Sequence, residues 1–161
     1  MADFQSHINQ AKKNLIFLSE VNQKISNSWD WQVTTAYYVA VHLVNSHIAK
    51  TANMHFSSHE RVKNALYDPK SFAKIDDSVY LAYVKLENLS RRARYLCNDN
   101  GDKTELDMTF VTHDVHLKKA LSKLDVLIDF ITKTHGQSFN IIPINCIEIK
   151  KSNLLYFKYR G

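Results

Sequence analysis

The sequence predicts an all-α protein, an up-and-down bundle of about five helices carrying a small C-terminal β-hairpin. Three observations predict it. Glycine (3) and proline (2) are scarce among 161 residues, which disfavours many-turned β structure. Apolar residues recur at helical spacing through most of the chain. Only the tail changes character: "FNIIPINCIEI" and "LLYFKYR" flank "KKSN", two strand-like runs around a turn. Residues 1–136 are therefore assigned to the bundle and 137–161 to the hairpin, as one domain overall. A lone hairpin is marginal in water, so this one must pack on the helices.

The first helix is expected from His7 to Lys24, with Leu15, Leu18, Val21 and Ile25 at helical spacing and Ser6 as cap. "SNSWDW" breaks the pattern, and Asp30 can cap a second helix from Trp31 to Lys50. "TANMHFSS" reads as a loop. Ser58 then precedes a short third helix, "HERVKNALY", stopped at Asp68 and Pro69. A fourth helix is expected over Ile75–Cys97, with Val79, Tyr83, Leu86, Leu89, Ala93 and Leu96 as its apolar stripe. "NDNGDKTELDM" carries a turn signal at Asn100 and Gly101. It is not a calcium loop, because the position needing an aspartate falls on Leu96. The fifth helix is capped by Thr112, seamed by Leu117, Leu121, Leu124, Ile128 and Ile131, and ended by Gly136.

The second helix is unusual. From Gln32 to Ala49 it carries no formal charge, yet it holds two tyrosines and two histidines. Val33, Tyr37, Ala40, Val44 and Ile48 form one stripe; Tyr38, His42, Asn45 and Ala49 form another. Two explanations stay open: a central helix covered on all sides, or a self-associating face in a homodimer. Either way His42 needs a polar partner, since an unpartnered buried ring is costly.

Composition narrows the function. Hydrophobic residues at 45% and charged ones at 23% are ordinary for a globular chain. The net charge of +5 suits an anionic partner. Cys97 and Cys146 form neither a CxxC nor a secreted framework, so a reducing, cytoplasmic setting is expected. The apolar run Leu15–Leu18 is too short for a signal sequence, and no membrane association is expected. There is no glycine-rich phosphate loop and no HExxH, so no cofactor is expected. His55 with His59, and His113 with His116, have spacings that allow a shared helical face. No carboxylate stands at a matching step, and no metal is expected.

"WDWQVTTAYYVAVHLVNSHIAK", then "HFSSHERVKNAL" and "YLAYVKLENLSRRARY", resembles bacterial HEPN-type proteins (higher eukaryotes and prokaryotes nucleotide-binding). The likeness covers Ser6 to Tyr95. It implies an all-α, commonly dimerising bundle from proteins of RNA cleavage, toxin–antitoxin and defence systems. The partners it implies are a second copy, RNA, and an antitoxin or nucleotidyltransferase. Catalytic members carry an arginine followed four to six residues later by a histidine. Arg61, Arg91, Arg92, Arg94 and Arg160 are the only arginines here, and none has that histidine. Lys50 and His55 in "KTANMH" imitate the spacing, but lysine lacks the bidentate fork. At best, then, the chain is a metal-independent endoribonuclease without the expected motif; the alternative is a non-catalytic protein-interaction bundle.

Phosphodiester cleavage without the motif would still need a base, an acid and a cation. His42, His59, Arg61, Arg94 and Tyr95 supply those types. Arg94 closes the fourth helix on the flank shared with Tyr80, Tyr83 and Glu87, at the edge of the buried stripe; Glu87 and Arg91 have ion-pair spacing. Arg91 and Arg92 face solvent, and Lys150, Lys151, Lys158 and Arg160 alternate with Tyr156, Phe157 and Tyr159. Such interleaving can hold phosphates and stack bases, though a solvated strand face has the same composition.

Overall fold

The computed structural model describes residues 2–25, 27–95 and 113–161. Helix α1 spans Phe4–Lys24, starting before His7 because Asp3, not Ser6, is its cap. The Asp3 carboxylate accepts the Ser6 backbone N–H at 2.7 Å. Helix α2 spans Trp29–Ala52 and ends at Asn53, whose φ of 52° is left-handed. Asp30, expected as its cap, lies instead in the first turn, where the helix dipole favours an acid. Helix α3 is His59–Tyr67, preceded by Ser58 and stopped at Asp68. Helix α4 is Asp77–Arg94. Ile75 stays outside it, buried, with its N–H bonded to the Leu66 carbonyl at 3.0 Å. Helix α5 spans His113–His135. Gly136 ends it at φ +66°, a conformation that a Cβ would strain. The expected turn at Asn100 and Gly101, the Thr112 cap, Leu96 and Cys97 lie outside the described residues.

The tail corrects the hairpin. Strands β1 (Ile142–Ile144) and β2 (Phe157–Tyr159) pair in parallel, Ile142 opposite Phe157. "KKSN" is no tight reversal, because the chain before it is itself packed: Cys146 and Ile149 are buried, the latter in a 3₁₀ turn over Ile147–Ile149. Two polar clamps then fix the return path. Asn22 on α1 accepts the Asn145 N–H at 2.7 Å, and the buried Asp125 carboxylate on α5 accepts those of Leu155 and Tyr156 at 3.1 and 2.8 Å.

Helix α2 is the axis of the bundle, packed against α1, α3, α4 and α5. Most of it, from Gln32 to Ile48, is buried by its own chain. That accounts for the missing charge. Asn45, which a self-associating face would have to present, is only 2% exposed and donates to the Val41 carbonyl at 3.1 Å. Of that stripe only Tyr38 is well exposed, at 44%. No helix among the described residues is long and apolar enough to cross a membrane.

Candidate functional site

The five residues nominated from sequence divide among three places. Arg61 leaves the others: α3 turns it towards an open hollow of about 360 Å³ lined also by Phe56, Asn64 and Asp68. His42 joins a histidine network at one end of the bundle. His59 reaches the seam of α2, α3 and α4, where its partner Tyr37 also feels the charge of Arg94, which packs on Tyr95.

The network begins with His7, on the first turns of α1. It is buried, and its Nδ1 lies 3.1 Å from His42 Nδ1 on α2. Its Nε2 lies 3.0 Å from His55 Nδ1, in the segment after α2. A neutral imidazole has one N–H and one lone pair, so His7 donates to one neighbour and accepts from the other. Burial first, then the charges of His42 and His55, push the His7 pKa down to about 4, while Asp3 opposes the shift.

Next to it lies a second pair. His47 Nδ1 is 2.9 Å from His135 Nε2, and His47 Nε2 is 3.1 Å from the Ala73 carbonyl. A carbonyl only accepts, so His47 carries its proton on Nε2 and takes the His135 N–H on Nδ1. Burial, then His135, holds the His47 pKa down to about 4. Phe4 meets the His135 ring edge-on at 5.4 Å, and Lys50 Nζ stands 4.5 Å over Phe4. The Lys50 charge adds to burial in lowering His135.

His7 spends both nitrogens on neighbouring imidazoles, and among the described residues no three histidine, cysteine or carboxylate side chains converge on an ion. His55 and His59, four apart in sequence, belong to different neighbourhoods. His113 and His116 both stack on Trp29, at 4.6 and 5.9 Å between ring centres.

At the α2–α3–α4 seam, Tyr37 OH lies 3.0 Å from His59 Nδ1 and 3.4 Å from Tyr83 OH. Burial raises the Tyr37 pKa to about 12 and pushes Tyr83 up further, so both remain neutral phenols. When Tyr37 donates to Nδ1, exposed His59 carries its proton on Nε2, directed away from that bond. Beneath the phenols, Glu87 is buried and pairs with Lys63 at 3.0 Å, not with Arg91. Exposed Arg94 packs 5.7 Å from the Tyr95 ring, and its charge reaches Tyr37, where it opposes that of Glu87.

Compared with known proteins, the chain matches no family model, no curated protein and no solved structure. The site is therefore read on its own chemistry.

Sequence reasoning missed His7, His47 and His135. Their partners stand 35, 48 and 88 residues away, so no local spacing pairs them. One signal was present: His7 shares its stripe with Ala11, Leu15 and Leu18, a core-facing position for an imidazole.

Proposed function

We propose that this chain is a HEPN-like, RNA-associated module of a toxin–antitoxin or defence system, which holds RNA without cleaving it briskly. The observation that carries the reading is the seam: the buried Tyr37 hydroxyl braces exposed His59 and also feels the charge of the exposed Arg94 guanidinium. An imidazole N–H and a guanidinium are the donors a phosphodiester accepts. Cleavage needs a second proton-transfer group beside the first. His42, the natural candidate, is committed to His7 instead.

Fluorescence anisotropy with a labelled single-stranded RNA in chelator tests this. Binding should weaken steeply with salt and with His59→Ala, and the RNA should stay intact. Brisk metal-independent cleavage lost in His55→Ala would overturn it and move the chemistry to Lys50 and His55.

A protein-interaction reading, with a second copy or a nucleotidyltransferase as partner, rests on a separate observation. Trp31 and Tyr38, seven residues apart on α2, are 66% and 44% exposed. Sedimentation of the purified chain separates the readings: self-association lost in Tyr38→Glu with RNA binding intact favours the interface.

A further inference from the structure

On the side of α4 turned away from the seam, the chain forms an open groove against α5. Its cavity of about 370 Å³ is lined by Lys85, Asn88, Leu89 and Arg92 from α4 and by Lys119 and Lys123 from α5. Four of these six side chains are cations and none is an acid. Among the described residues none of the four cations forms an ion pair with a carboxylate; the ion pairs there involve Lys24, Lys63 and Lys133.

Such a concentration of one sign is costly in self-repulsion unless something anionic offsets it. Of the five acids on the same helices, three are engaged elsewhere. Glu87 turns inward to Lys63, Asp125 holds the tail, and Asp129 pairs with Lys133. The field is visible on a bystander: beyond burial, the charges of Arg92 and Lys119 push the His116 pKa down.

The shape indicates the ligand. Lys85 and Arg92 are seven residues apart on one helix, about 10 Å along its axis; Lys119 and Lys123 are about 6 Å apart on the other. Cations thus stand on both rims, over a floor provided by Leu89. The groove is open and its only other polar lining group is Asn88, so it offers little to fix a small molecule's orientation. Two rims of donors along an unobstructed floor suit an extended anion that carries its charges at intervals.

We propose that the α4–α5 groove is a phosphodiester track, in which Lys85, Arg92, Lys119 and Lys123 neutralise successive phosphates of a single RNA strand. It rests on the RNA-associated reading above, and it places most of the electrostatic affinity on a different face from His59 and Arg94. Contacts of this kind position a strand without reading its sequence.

The experiment compares the full chain with a Lys85→Gln/Arg92→Gln/Lys119→Gln/Lys123→Gln variant, using a labelled oligouridylate across a salt series. All four positions are on the surface, so circular dichroism and melting should be unchanged. Affinity near physiological salt should fall at least about tenfold and the log–log salt slope should flatten, as expected when phosphate contacts are removed. Oligouridylate should also raise the His116 pKa in an NMR titration, because the bound anion offsets Arg92 and Lys119. Equal binding by the variant would overturn the groove while leaving the RNA reading intact. No binding by the native chain would overturn both. Poly-glutamate of matched charge that displaces the RNA at equal concentration would assign the groove to an acidic polypeptide and overturn the phosphodiester track.

Discussion

Two regions of this bundle bury histidine and tyrosine side chains, and they solve the same problem in opposite ways. At the bundle end, His7 bonds to both His42 and His55, and His47 to His135, with no carboxylate among the described residues hydrogen-bonded to any of them. At the α2–α3–α4 seam, phenols and an imidazole are underlain by the Glu87–Lys63 ion pair. The first network can keep its hydrogen bonds when a ring is protonated, but its bonded partners carry no opposite charge to offset the burial of that cation. The second holds its own opposite charges in the Glu87–Lys63 pair. Burial of polar rings thus makes one region sensitive to acid and leaves the other sensitive to losing a partner.

Acid is the strongest way to sharpen this contrast. His7 and His47 have folded pKa values of about 4 against an ordinary 6.5. Between those values the unfolded chain binds more protons than the folded one, so stability falls as pH falls. It is fully present above pH 6.5, is lost down to about pH 4, and levels off below. Each shift corresponds to roughly 3 kcal/mol at the acid end. Urea denaturation at pH 7.5, 6 and 4.5 should show the loss, and His7→Phe should reduce the slope. A flat stability profile across that range would remove the distinction between the regions.

The seam should respond instead to mutation. Glu87→Ala strands Lys63 beneath the phenols; because Lys63 is partly exposed and can rehydrate, we expect about 1–3 kcal/mol of destabilisation. Tyr37→Phe removes the hydroxyl shared by His59 and Tyr83 and leaves a buried phenol unpaired, costing about 1–2 kcal/mol. Neither change should alter the acid sensitivity of the bundle end, and a combined measurement of stability against pH checks both.

How much of this was legible follows from how local each feature is. The helix stops at Asp68 and Gly136 were readable because single residues impose them. The uncharged run of α2 declared its burial but not its cover, since the neighbours come from four other helices. The parallel strands were illegible: "KKSN" looks like a hairpin turn, and only Asn22 and Asp125, far away in sequence, redirect the chain. The nominated site was half legible. Periodicity put Arg94 beside Tyr83 and Glu87 on one flank, but could not show that Lys63 would take Glu87. His42 was expected to need a polar partner, and His7, an α1 residue, is that partner.

The smallest stability effect belongs to Arg94, and it is the most informative about function. Its guanidinium is exposed, packs on Tyr95 and closes α4, where the helix dipole already favours a cation. Glu87, the acid that would have made it structural, is paired with Lys63. Arg94→Ala should therefore shift stability by no more than about 0.5 kcal/mol, as for an ordinary surface position. On the proposed function RNA affinity should nevertheless fall, because the cation whose charge reaches Tyr37 is gone. Arg94→Lys should restore only part of it, since an ammonium supplies the charge but not the planar fork. Melting and anisotropy on the same preparations separate the cases. A large loss of stability would place Arg94 in the framework of the seam, and unchanged binding would leave His59 without its cation.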